Sequence, residues 1–288
     1  MTGLPYASAQ GVVCFEVLPL GKSEEEAKQL PEPAWLTVTC SPKHGPDRTI
    51  EVAKRLRAIG HDVTPHIAAR MVKDRDHLNR LLDEMADAGV HDVFVIGGDA
   101  ADVAGAYSSA GELLPHLVEH PRRPRTIGIA AYPEGHPLID DRTLAAALEH
   151  KSRFATYVTT QMCFDPGTLL SWLRQARTGG MSLPVMLGMP GVVDRRRLLE
   201  ISMRIGVGPS LSFVRKQQGI RKLFTRSQGT ADELYDALAP SVRDDPELNI
   251  EGFHFYTFNQ LVDTWRWERG KRYQGDLAQG SGSGKFTG

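Results

Sequence analysis

The sequence predicts an α/β fold: a (βα)8 TIM barrel with extra helices before the last strand. Three observations carry the prediction. Eight short apolar runs recur along the 288 residues, and segments with helical periodicity lie between them. This alternation implies right-handed crossovers and a parallel sheet. No Gly-x-Gly-x-x-Gly follows the first run, which speaks against an open dinucleotide-binding sheet.

The strand candidates are Gly11–Val17, Trp35–Thr39, Asp62–His66, Asp92–Ile96, Thr126–Ala131, Tyr157–Thr160, Leu183–Leu187 and Gly252–Phe255. Short apolar runs of this kind suit parallel strands covered on both faces. Between them, Leu78, Leu81, Leu82 and Met85 mark one face of a helix, as do Ile50, Ala53 and Leu56 and, later, Leu198, Leu199 and Met203. Gly60 and Gly89 stand where a helix ends in a left-handed turn. The rhythm breaks between Gly206 and Asn249, where helical segments near Ser212–Leu223 and Thr230–Leu238 precede the last strand.

A β/α barrel takes roughly 250 residues. Residues 1–270 are therefore read as one barrel and 271–288 as a flexible tail, with linker composition over Gly280–Gly284.

Charge excludes one class of partner. The chain has 34 basic and 35 acidic residues, which leaves no footprint for nucleic acid. The run Pro121–Arg125 is short and broken by proline, and reads as a solvated loop. No apolar run approaches the ~18 residues of a membrane span. The three cysteines, Cys14, Cys40 and Cys163, form no Cys-x-x-Cys pair and sit beside apolar runs. They read as core filler in a reducing, cytoplasmic setting. Nothing in the sequence sets an oligomeric state.

A barrel places its chemistry at the C-terminal ends of its strands. There the sequence offers Glu16, Thr39, His66, Asp99, Tyr132, His136, Gln161 and the run Phe253–Asn259. Glu16 lies between Phe15 and Val17. An apolar setting would favour its acid form, and the other reading is an ion-paired strand end. Asp99 follows two glycines and reads as a ligand contact or as a helix cap. Gln161 offers a donor and an acceptor together, or is structural. His66 and His254 read more simply as core histidines. No ligand spacing appears among the histidines, so no metal is expected.

Taken in order, these motifs resemble the methylenetetrahydrofolate reductase family. The motifs are Cys14-Phe15-Glu16-Val17-Leu18-Pro19, Leu36-Thr37-Val38-Thr39 with Asp47-Arg48-Thr49, Thr64-Pro65-His66, Gly98-Asp99, Ala130-Ala131-Tyr132-Pro133-Glu134 with His136-Pro137, Thr160-Gln161 with Phe164-Asp165, and Phe253-His254-Phe255-Tyr256-Thr257-Phe258-Asn259. The resemblance implies a barrel that reduces 5,10-methylenetetrahydrofolate to 5-methyltetrahydrofolate with NAD(P)H, normally through FAD. It implies Glu16 as the general acid, Asp99 and Gln161 as pterin contacts, and Phe255 and Tyr256 as further substrate contacts. Thr39, His66, Tyr132 and His136 match positions that line the family's cofactor groove.

Some positions depart from the pattern. Gly97 replaces an arginine of the flavin's diphosphate region. Ser109-Ala110-Gly111-Glu112-Leu113 replaces a tyrosine-led motif. Ser152-Arg153-Phe154-Ala155 follows Lys151 and puts a bulky Phe154 where the family has small residues. Arg197, Ile201 and Gln260 stand where the family often has Gln, Phe and Arg, and Arg215, Lys216 and Arg221 are candidates for the folate's glutamate tail. The departures fall mostly on flavin contacts. They suggest a flavin-independent branch using NADH directly. The other readings are the usual FAD-dependent reductase and a non-catalytic folate-binding barrel.

Overall fold

The computed structural model describes residues 11–193 and 227–280. Its strands are β1 (Val12–Val17), β2 (Trp35–Val38), β3 (Asp62–Ala68), β4 (Asp92–Ile96), β5 (Thr126–Ala131), β6 (Tyr157–Thr160), β7 (Val185–Pro190) and β8 (Ile250–Tyr256). Each pairs in parallel with its neighbours, and β8 returns to β1, so the sheet is a closed barrel. The helices are α1 (Gly21–Ala27), α2 (Gly45–Ala58), α3 (Arg75–Asp87), α4 (Ala110–Val118), α5 (Asp141–Ser152), α6 (Pro166–Thr178), α7 (Ser227–Asp244) and α8 (Leu261–Gly280).

Period-two alternation sorts every strand into two faces. On β1, Val13, Phe15 and Val17 turn outward into the layer shared with the helices. Leu78, Leu81, Leu82 and Met85 of α3 are buried in that layer, and each such side chain stabilises the fold by about 1.5–3 kcal/mol. Val12, Cys14, Trp35, Phe94, Tyr157 and Met186 turn inward and form a separate apolar floor. Trp35 Nε1 donates to Thr64 Oγ1 at 2.8 Å within this floor. The barrel is therefore plugged by this layer, and above it, toward the strands' C-terminal ends, its inward positions carry Glu16, His66, His254 and Tyr256.

Two glycines permit the closure. A Cβ on Gly252 would overlap the Val12 carbonyl oxygen, and one on Gly188 would overlap that of Thr160. Both strands run further than their apolar runs suggest. β7 continues through Gly188 to Pro190, and β8 spans Ile250–Tyr256, because pairing to a neighbour rather than side-chain character sets their ends.

The helix expected near Thr230–Leu238 is the middle of α7, while the segments near Leu198–Met203 and Ser212–Leu223 lie outside the described residues. The tail expected from residue 271 needs correction. α8 runs on to Gly280, and Lys271 bonds Asp236 at 2.9 Å while Arg272 pairs with the buried Glu268. Residues 281–288 lie outside the described residues.

Candidate active site

Because β8 lies beside β1, the inward residues of the first and last strands meet. Cys14 is in register with His254, and Glu16 with Tyr256. His254 is buried, with Nδ1 3.1 Å from Cys14 Sγ and Nε2 3.2 Å from Glu16 Oε2. His66 of β3 approaches the same carboxylate oxygen at 3.8 Å and lies against the Phe94 ring. Glu16 thus stands between two imidazoles. Its chain neighbours Phe15 and Val17, which suggested an apolar pocket, point to the opposite face.

The two histidines differ in charge. Burial pushes His66 down to about 4, and the pull of Glu16 does not restore it. Burial also acts against the charge on His254, but Cys14 and Glu16 override it and lift the group to about 10. The two shifts run in opposite directions, His66 toward the neutral ring and His254 toward the cation.

The polar rim continues around the mouth. Tyr256 donates its hydroxyl to the Thr160 carbonyl at 3.0 Å. Burial holds this phenol well above its ordinary value, and the charges of Glu16, Tyr132 and Cys14 add to the effect. Tyr132 is raised too, by burial and then by Asp99. Glu16, Tyr256, Tyr132 and Asp99 therefore form a series in which each group lies within electrostatic reach of the next. Gln161 follows Thr160 directly, and its N–H donates to Ala131 at 2.7 Å. Its Oε1 accepts from the Met162 N–H at 3.0 Å, which leaves its amide group as a donor.

Asp99 is exposed in the loop after β4 and does not cap a helix, since α4 begins only at Ala110 behind Ser109. Tyr132 and His136 meet edge to face at 5.3 Å on the loop after β5. Thr39 is half-buried, and its hydroxyl has no hydrogen-bond partner. His66 is buried, unlike the other groove candidates, and lies beside Glu16.

Phe255 is a correction. Its side chain is fully buried on the outer face, stacked on Phe15 and Phe253 and edge-on to Trp267. It supports the wall and cannot line the mouth. Phe154 is another. It precedes β6, at the end of the barrel opposite the mouth, and packs on His150 and the core. Cys14 and His254 were missed as site residues. Their signal was parity: Cys14 shares a face with Glu16, and His254 shares one with Tyr256.

A sequence model described as methylenetetrahydrofolate reductase matches residues 22–264, most of the chain. The chain belongs to the methylenetetrahydrofolate reductase family. The match spans β2 to β8 and begins after β1, so the place of Glu16 rests on its motif and on the geometry above. Methylenetetrahydrofolate reductase 2 of Saccharomyces cerevisiae is 25% identical over 119 residues, 38% of this chain and 20% of its own length. Methylenetetrahydrofolate reductase 1 of Schizosaccharomyces pombe is 20% identical over 192 residues, 63% of this chain and 31% of its own. The matched stretches thus span less than a third of these relatives.

Among solved structures, dihydropteroate synthase of Thermus thermophilus in complex with 6HMPPP aligns with a TM-score of 0.46 and 12% identity. That alignment covers 91% of this chain and 94% of the synthase.

Among the described residues, several positions that could anchor a dinucleotide's phosphates lack a cation or are already capped. Gly97 has open space and no cation. The N-termini of α3, α5 and α6 would suit phosphate, but the carboxylates of Asp74, Asp140 and Asp165 already accept their N–H groups. Lys151 donates to the Ala130 carbonyl at 3.0 Å, and burial brings it down to about 8. Among the described residues no three His, Cys, Asp or Glu side chains are grouped to hold a metal ion. No helix among them is long and apolar enough to cross a membrane. Arg197, Ile201, Arg215, Lys216 and Arg221 lie outside the described residues.

Proposed function

We propose that this barrel reduces 5,10-methylenetetrahydrofolate to 5-methyltetrahydrofolate with hydride taken directly from NADH. The observation that carries the reading is the rim itself. A carboxyl backed by two imidazoles, on β1, β8 and β3, opens at the same strand ends as a carboxylate in the loop after β4 and a carboxamide just past β6. The pterin edge offers N–H donors and a carbonyl, and Asp99 accepts from the former while the Gln161 amide donates to the latter. Glu16 delivers a proton to N10 as the imidazolidine ring opens. The resulting N5 iminium is a strong electrophile, and a stacked dihydronicotinamide reduces it when well aligned.

The phosphate anchors support a co-substrate over a resident flavin. A dinucleotide held through every turnover needs firm contacts for its diphosphate. Three nearby helix ends are already filled by the protein's own carboxylates, and position 97 carries no guanidinium. A weakly held NADH that leaves after each cycle fits this mouth better than a permanent FAD. Thr39, Tyr132 and His136 would line the space for its nicotinamide half.

Anaerobic assay of the purified protein with NADH and methylenetetrahydrofolate, without added flavin, tests the reading. NADH oxidation matched by methyltetrahydrofolate formation is expected from a colourless protein. Release of stoichiometric FAD on denaturation makes this a conventional reductase. Folate binding with no turnover, with or without FAD, makes it a binding barrel.

A further inference from the structure

We propose that His254 stores the proton that Glu16 delivers, so that the acid of the reaction is a hydrogen-bonded carboxylate–imidazole couple rather than an isolated carboxyl. The inference rests on the reductase reading above and concerns the same site.

The geometry is a line of three groups. Cys14 Sγ, the His254 ring and Glu16 Oε2 are joined at 3.1 and 3.2 Å, with His254 buried throughout. When charged, the imidazole donates through Nδ1 to sulfur and through Nε2 to the carboxylate. Among the described residues, the titratable groups that face it are Cys14 and Glu16 on β1, His66 on β3, and Tyr256 on its own strand with ring centroids 4.7 Å apart. β7, on the other side, presents Met186 and Gly188. Only Glu16 and Cys14 favour the cation, and both touch it. The direction of the shift on His254 agrees, since the ring keeps its proton up to about 10. His66 faces the same oxygen but is held neutral, so it has no proton to give.

The couple closes the proton account of one turnover. At rest the couple holds one proton, on the His254 side of the Nε2–Oε2 contact. Folate seals the mouth, and the proton passes from Nε2 to Oε2 and on to N10. The C–N10 bond breaks with its electron pair retained on N10, and the carbon becomes the iminium. Hydride from the dihydronicotinamide then forms the methyl group and leaves the oxidised nicotinamide. Glu16 is again a carboxylate and His254 is neutral. When products leave, water returns one proton through Glu16, whose side chain keeps 13% of its surface exposed.

The test uses the full chain and the pH profile of kcat. His254→Gln keeps an N–H near the position of Nε2 but cannot ionise. Wild-type kcat should hold through neutral pH and fall only as the couple loses its proton near the alkaline end. In His254→Gln the fall should begin in the acid range, with a deficit of at least about tenfold at about pH 8 that shrinks on acidification. A variant profile parallel to that of the wild type overturns the proposal. If the variant does not fold, nitrogen NMR of the wild-type histidines decides: His254 charged at about pH 8 supports the couple, and His254 neutral there overturns it. Failure of the wild type to oxidise NADH with methylenetetrahydrofolate overturns the reductase reading instead, and the NMR titration separates the two.

Discussion

Arg70 donates from Nε to the Ala100 carbonyl at 2.8 Å, one residue beyond Asp99. Its Nη2 reaches Ala101 at 2.8 Å, its N–H donates to Gly97 at 3.0 Å, and its carbonyl accepts from Ala104 at 2.7 Å. The loop has no helix or strand of its own, so this clasp sets where Asp99 stands. Arg70→Ala should raise KM for the folate by about tenfold with kcat little changed, the loss of one hydrogen bond to a charged group. Asp99→Ala should show the same split more strongly. Steady-state kinetics reads both, and an unchanged KM in Arg70→Ala removes the positioning role.

Gly188 supplies a second prediction. A Cβ there would overlap the Thr160 carbonyl, which also accepts the Tyr256 hydroxyl. Gly188→Ala should lower stability by about 1–3 kcal/mol, the usual cost of overpacking. It should also disturb activity, because the strain falls on the strand end that carries Gln161. Thermal melting with a parallel assay checks it.

Glu16→Gln should cut turnover by about 10²–10⁴-fold, the usual worth of a general acid. Folate binding should survive, since Asp99 and Gln161 remain. Calorimetric titration with a folate beside the kinetic assay separates the two effects. Undiminished turnover removes Glu16 from the mechanism.

His66 predicts how stability responds to acid. Its folded value of about 4 lies below the ordinary 6.5. Between these values the unfolded chain binds more protons than the folded one, so stability falls as pH drops through the window. His66→Asn should flatten that limb by on the order of a few kcal/mol if the cavity repacks. Urea midpoints measured across the window, wild type against variant, give the difference.

The barrel was legible because its signals are local. Three strands, Asp92–Ile96, Thr126–Ala131 and Tyr157–Thr160, match their apolar runs end to end, and Leu78 to Met85 bury the face their spacing marks. β7 and β8 were read short because glycine looks like a stop until a neighbouring strand is seen to need it. The site was less legible. Phe255 was grouped with Tyr256 through their shared motif, although adjacent strand residues face opposite sides. His254 was read as a core histidine, and it is buried. Its chemistry comes from Cys14 and Glu16, which pairing of β8 to β1 brings to it from the far end of the chain.

That pairing has a consequence for biosynthesis. Glu16 lies on the first strand, and His254 follows it by 238 positions. A nascent polypeptide carries this carboxylate through the synthesis of six intervening strands before the His254 ring can reach it. Contacts so distant in sequence close late and slowly. Competence for chemistry should arrive in one step, when the ribosome has released the eighth strand.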